Sequence, residues 1–116
     1  KAKNNPELQT FNNFLKILEA NFRRPEGVEF YAEKLNMTAR NLNVITKKVF
    51  DKSVSEIIET RKLTEAKRLL LHSNLSVSEI GFDLGYNEKS YFSRVFLKYA
   101  GLAPTEYKKR MQALLA

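Results

Sequence analysis

Apolar residues recur at three- and four-residue intervals along almost the whole chain. Phe11, Phe14, Leu15, Leu18 and Phe22 fall on the i, i+3, i+4, i+7 spacing of one buried helical stripe. Asn5 before Pro6 predicts a cap and a first helical residue, and RRPEG at 23–27 stops that helix. A short helix follows over 28–35, and Thr38 can cap a third that runs to about 50. Ser53 and Glu56 have the spacing of a capping box, where each side chain satisfies a backbone N–H at a helix start. The helix it opens is long, over 54–72, with Ile57, Ile58, Ala66, Leu69 and Leu70 apolar. Ser76 and Glu79 repeat the capping box before a short helix to 84. Asn87 is placed to cap a sixth helix to about 99, Gly101 ends it, and Pro104 opens a last one to about 114. No alternating strand pattern of useful length occurs. The pattern therefore predicts an all-α fold of about seven helices.

The polar breaks repeat. A shift of 49 residues lays Val28 on Val77, Ala32 on Gly81, Leu35 on Leu84, Asn36 on Gly85 and Met37 on Tyr86. A shift of 50 then lays Leu42 on Phe92, Ile45 on Val95, Lys48 on Lys98, Glu56 on Glu106 and Ile57 on Tyr107. Each copy has the logic of a helix-turn-helix. A small residue (Ala32, Gly81) allows a close crossing. Four residues on, Asn36 or Gly85 tolerates a left-handed backbone. Met37 or Tyr86 plugs the corner, and a second helix leaves it.

On a helical wheel those second helices have an inner and an outer face. Leu42, Ile45 and Val49 point inward in the first; Arg40, Asn43, Val44 and Lys47 point outward. In the second, Phe92, Val95, Phe96 and Tyr99 point inward and Ser90, Ser93, Arg94 and Leu97 outward, with Lys89 in the exposed first turn.

Charge gives the outer faces a partner. The 116 residues carry a net charge of +7. Residues 34–50 hold four basic side chains and no acid, and residues 89–105 hold three and no acid. Two acid-free basic segments suit two contacts with a polyanion, although a merely solvated face has the same composition. The residue types fit duplex DNA. Arg40 or Arg94 can pair with guanine, Asn43 with adenine, and Val44 can lie against a thymine methyl, while Ser90 and Ser93 are permissive. Lys47, Lys48, Lys98 and Ser93 suit phosphates, as do the helix starts at Thr38 and Asn87. The 19 residues of 54–72 would span roughly 28 Å, against ~34 Å between successive major grooves on one face of B-DNA. A bent site or unequal contributions from the two copies is expected.

The segment TRKLTEAKRLLLHSNLSVSEIGFDLGYNEKSYFSRVFLKYAGLAPTEYKKR, residues 60–110, closely resembles the C-terminal signature of the AraC/XylS family of bacterial transcription regulators. The matching positions are Arg61, Ala66, Leu70, Ile80, Gly85, Ser90, Tyr91, Phe92, Arg94, Phe96, Lys98, Gly101, Pro104 and Tyr107. Residues 8–59 resemble the first half of the same domain less distinctively. The resemblance implies a single DNA-binding domain over 1–116: a helix-turn-helix subdomain at 8–52, a linker helix at 53–73 and a second such subdomain at 74–116. It implies a cytoplasmic regulator, mostly an activator, that inserts two recognition helices into successive major grooves and touches RNA polymerase. Base-reading positions carried over by motif are Arg40, Asn43, Val44, Lys89, Ser90, Tyr91 and Arg94; the wheel alone would hold Tyr91 partly buried. Most of the family has a separate sensing or dimerising domain, which here would lie upstream of Lys1. Five residues depart from the usual pattern: Gly81 for Ala, Tyr86 for Phe, Ala103 for a capping Ser, Lys108 for Arg and Thr46 for Phe. Gly81 is expected to loosen its short helix by roughly 1 kcal/mol.

Other classes have less support. His72 is the sole histidine, and no acid pair, metal spacing or phosphate loop accompanies it, so neither an enzyme nor a cofactor is expected. No cysteine is present, which excludes disulfides and fits a reducing compartment. No apolar run reaches the ~18 residues needed to cross a membrane. A single-strand binder would need exposed aromatics, and most aromatics here have core spacing. The alternative that remains is a helix-turn-helix protein-interaction module without specific DNA binding.

Overall fold

The computed structural model describes residues 5–116. Among these residues seven helices are present: α1 (Pro6–Asn21), α2 (Val28–Lys34), α3 (Ala39–Phe50), α4 (Val54–His72), α5 (Val77–Asp83), α6 (Lys89–Ala100) and α7 (Pro104–Leu115). No strand occurs among the described residues. The fold is all-α.

Side-chain caps set most of the helix starts. Asn5 accepts from the N–H groups of Glu7 and Leu8 at 2.9 and 3.2 Å. Thr38 Oγ1 accepts from the Asn41 N–H at 3.0 Å. Both capping boxes close in both directions, Ser53 with Glu56 and Ser76 with Glu79. The Ser53 N–H bond also holds the Glu56 carboxyl below its ordinary pKa. Asn87 does not cap α6. Glu88 occupies the cap position, and its side chain makes no capping bond. Ala103, likewise, leaves α7 without a side-chain cap.

Two compact units form. One holds the described residues up to Phe22 together with Glu26–Glu59; the other holds Arg23–Pro25 together with Thr60–Ala116. The core of the first gathers Phe11, Phe14 and Leu18 of α1, Tyr31 and Ala32 of α2, and Leu42 and Thr46 of α3. The Phe14 and Tyr31 rings meet edge to face at 5.6 Å. Leu15, expected in the buried stripe, is 38% exposed. The stripe is satisfied by Phe11, Phe14 and Leu18, and Leu15 falls at its margin.

The core of the second unit gathers Leu63, Ala66 and Leu70 of α4, Ile80 of α5, and Phe92 and Phe96 of α6, with Leu84 and Tyr86 in the turn. Fully burying such aliphatic and aromatic side chains stabilises by about 1.5–3 kcal/mol each. Tyr99, expected inward, is 44% exposed; the inner face of α6 is already filled by Phe92 and Phe96.

The repeat holds in the backbone bonds of its turns. The Met37 N–H donates to the Ala32 carbonyl at 3.0 Å, and the Tyr86 N–H to the Gly81 carbonyl at 2.9 Å. The Asp51 N–H donates to Lys47 and the Gly101 N–H to Leu97, both at 2.9 Å. Asn36, Asp51, Gly85 and Gly101 all take positive φ at matching places. Gly81 has a packing role. A Cβ built there would lie 3.0 Å from the Phe92 ring, so its absence makes room for a larger partner than Leu42, which follows Ala32 in the other copy.

The second turn is fastened from α4. Lys62 is 5% exposed, and its ammonium donates to the carbonyls of Arg24 at 2.8 Å and Leu84 at 2.6 Å. Glu65 accepts from Arg68 Nε at 3.0 Å, from Arg68 Nη2 at 2.6 Å and from Arg23 Nη2 at 2.6 Å. Arg23 also bonds Asp83.

Two outcomes are expected. A methyl added at Gly101 would enter open space, whereas a Cβ at Gly85 would lie 2.7 Å from the Arg23 carbonyl oxygen. Gly101→Ala therefore costs only left-handed backbone strain, about 1 kcal/mol, and Gly85→Ala at least about twice that, by denaturant unfolding. The second outcome concerns acid. The bonds from Arg68, more than the charge of Arg23, hold the Glu65 carboxyl below its ordinary value of 4.5. A depressed folded pKa contributes stability that is present above the ordinary value and disappears as pH falls through the depressed one. Glu65→Gln should thus be less stable by about 1 kcal/mol at neutral pH, since both arginines are partly solvated, and the gap to the unsubstituted protein should close as pH falls below the ordinary carboxylate range.

Candidate nucleic-acid interface

Each unit presents one helix whose inner face is fixed by the core and whose outer face is open. In the first unit, Leu42 and Thr46 anchor α3 from within. Arg40, Val44, Lys47 and Lys48 are exposed on its outer side, Val44 by 55%. Arg40 has no carboxylate partner among the described residues. Lys48 does: its ammonium lies 3.0 Å from the Glu7 carboxylate of α1, with both groups open to solvent. Thr38, at the start of α3, uses its hydroxyl oxygen as the cap acceptor described above.

Asn43 occupies a less open place than the wheel gives it. It is half-buried, and its Oδ1 accepts from the Val54 N–H at 2.9 Å. Val54 is the first residue of α4, so Asn43 serves as a second cap for that helix, beside Ser53. Its carbonyl also accepts from the Thr46 hydroxyl at 3.2 Å, which satisfies a hydroxyl buried where the second copy has Phe96.

In the second unit, Phe92 and Phe96 anchor α6. Lys89, Ser90, Tyr91, Arg94, Leu97 and Lys98 line its outer side, and Ser93 lies at the edge of that face. Asn87 is exposed in the turn that precedes α6. Tyr91 is 48% exposed and leans on Tyr86, with ring centroids 6.0 Å apart. The Arg94 guanidinium carbon lies 5.7 Å from the centre of the Tyr91 ring. Arg94 has no carboxylate partner among the described residues. Spacing carried a signal for this pair, since Tyr91 and Arg94 are three apart on one helix.

The two faces therefore share a chemistry. Each holds a guanidinium without a carboxylate partner, at least one lysine and an apolar side chain (Val44 or Leu97), on a helix narrow enough to enter a major groove. No helix among the described residues is long and apolar enough to cross a membrane.

Known proteins share this fold. A family model described as a helix-turn-helix domain matches residues 31–110. The transcriptional activator RhaR of Yersinia pseudotuberculosis is 30% identical over 80 residues, which is 69% of this chain and 28% of that protein. The C-terminal domain of AraT, a response regulator from Geobacillus stearothermophilus, superposes with a TM-score of 0.84 at 25% identity, covering 87% of this chain and 84% of that one. The DNA-binding domain of AdpA, solved with a target DNA, has the same fold, with a TM-score of 0.77 at 21% identity over 94% of this chain and 95% of that one. The chain spans between 34% and 40% of the length of the first three curated relatives it matches.

The double duty of Asn43 can be separated by substitution. Asn43→Ala should lower stability by about 1 kcal/mol through loss of the bond to Val54. Asn43→Asp keeps the acceptor and places a negative charge at a helix start, so thermal unfolding should stay near that of the unsubstituted protein. Binding to duplex DNA should nevertheless weaken in the Asp variant, measured by fluorescence anisotropy.

Proposed function

Because the chain belongs to the AraC-type helix-turn-helix family of transcription regulators, we propose that it reads double-stranded DNA by laying α3 and α6 in the major groove, each on its own short box. The observation that carries this reading is the pair of outward guanidinium groups, Arg40 and Arg94, on helices without a single acid. A guanidinium offers a planar fork of donors that matches guanine O6 and N7. Val44 would meet a thymine methyl, and Lys89 and Ser90 would reach base edges from the first turn of α6. Asn43 keeps its amide N–H donors for an adenine or a phosphate while its oxygen caps α4. Lys47, Lys48, Lys98, Ser93, Asn87 and the α3 start at Thr38 would take phosphates, which add affinity without sequence information. Lys48 must first leave Glu7.

The subdomain limits read from the sequence, 8–52 and 74–116 about a linker helix at 53–73, remain part of this proposal. So do the actions of the whole protein: activation of transcription, as in RhaR, contact with RNA polymerase, a sensing or dimerising domain upstream of Lys1, and a cytoplasmic location. The fold shared with AdpA is one that meets DNA in that protein.

Selection of bound duplexes from a random pool at ~150 mM salt tests the reading. Two short enriched boxes are expected. Arg40→Ala should relax one base position in the first box and Arg94→Ala one in the second, each costing about 1–3 kcal/mol on the selected site. Lys47→Ala should weaken every sequence alike and flatten the salt dependence. No enrichment, with binding that vanishes as salt rises, would overturn sequence reading and favour the protein-interaction alternative.

A further inference from the structure

We propose that Tyr91 is a positioning residue that holds the Arg94 guanidinium in its base-reading pose, so that the second unit discriminates more sharply through its arginine than the first. The inference rests on the duplex-reading function above. It starts in the core. Phe92 is fully buried, and its ring centroid lies 5.2 Å from that of Tyr86. Tyr86 is 7% exposed, and the Lys62 ammonium sits 5.3 Å from its ring centre. Neither ring can move without opening the turn. Tyr91 leans on Tyr86 from outside, tilted by 49° at 6.0 Å. The guanidinium carbon of Arg94 is in turn 5.7 Å from the Tyr91 ring centre. A ledge of rings thus runs from the core to the outer face of α6 and ends under a cation.

The physical effect is on the free state. An arginine on an open helix face samples many rotamers and surrenders them when it docks. A ring beneath the guanidinium favours a stacked pose through attraction between the cation and the ring face. Stacking leaves the edge of the planar fork, where the N–H donors are, free for a base. Less freedom is then lost on binding the matching base, and a mismatched base cannot be met by a small swing of the side chain. The first unit lacks this device. Arg40 has no ring beneath it among the described residues, and Asn41 stands where the repeat places Tyr91.

The test is a double-substitution cycle on the whole chain, read as the affinity ratio between the selected site and a site altered at the base that Arg94→Ala relaxes. Tyr91→Leu removes the ring and keeps the bulk; Tyr91→Phe keeps the ring and removes the hydroxyl. Tyr91→Leu should lower the ratio by about 2–5-fold, the range expected for an exposed cation–ring pair, and Tyr91→Phe should leave it within error. In an Arg94→Ala background Tyr91→Leu should change nothing further. An equal loss of affinity for the selected site in that background would mean that the ring touches DNA by itself, and would overturn the proposal. A loss with Tyr91→Phe as large as with Tyr91→Leu would overturn it as well, since the hydroxyl would then be responsible. An unchanged ratio with Tyr91→Leu, in a protein that does discriminate, would sink the proposal alone. A protein that does not discriminate at all would sink the duplex-reading function with it.

Discussion

The buried ammonium of Lys62 is the interaction on which the second unit turns. A lysine that is 5% exposed must have its charge met, and here two backbone carbonyls meet it, those of Arg24 and Leu84. Three parts of the chain are drawn to one point: α4, the 23–25 segment and the α5–α6 turn. The same convergence explains Gly85. The carbonyls of Arg23 and Arg24 press so close that no side chain fits, and the backbone there is left-handed as well. Once that corner is fixed, Tyr86 plugs it, Phe92 seats against Gly81, and the outward face of α6 is determined. Glu65, one turn further along α4, braces the same corner by gripping Arg23, which in turn reaches Asp83 at the end of α5.

The two units solve one packing problem with different distributions of bulk. Phe11, Phe14 and Leu18 on α1 have the same spacing as Leu63, Ala66 and Leu70 on α4, and all six are buried. Phe14 is large where Ala66 is small. The recognition helices reverse this, with Thr46 in α3 where Phe96 stands in α6. In each unit, one of the two helices carries the larger side chain. Thr46 is fully buried, and its hydroxyl is satisfied by the Asn43 carbonyl. Gly81 follows the same rule. Its lower helix propensity is offset by the close seat it gives Phe92.

Helix starts and turns are legible in the sequence because their causes are local. A Ser three residues before a Glu, or a Gly after a four-residue gap, acts on its own neighbours, and both capping boxes and the Gly85 turn stand as expected. The all-α fold and the outward faces of Arg40 and Arg94 follow from periodicity alone. What periodicity misses depends on distant partners. Nothing near Lys62 in the sequence announces the Arg24 carbonyl, 38 residues away. Asn43 reads as an outward amide, since its partner Val54 is 11 residues away. Leu15 and Tyr99 sit at the rims of their stripes, where a wheel gives no decision and the filled core does. Asn87 is a sound cap by type, but the chain enters α6 one residue later, at Glu88.

Such bonds, local and long-range, decide which polar side chains remain available to a ligand. Thr38 and Asn43 have already committed an oxygen each to a helix start, and Lys48 is engaged with Glu7. Any use of these groups on DNA must share or break an existing bond, so the gain is reduced by what is given up. Arg40 and Arg94 have no carboxylate bond to break. A charge left without a counter-charge, on a face that is otherwise free of acid, meets phosphate or a base edge at full strength. The fold has thus sorted its outer groups: Thr38, Asn43 and Lys48 already hold bonds within the first unit, whereas Arg40 and Arg94 project from acid-free helices with no carboxylate to release.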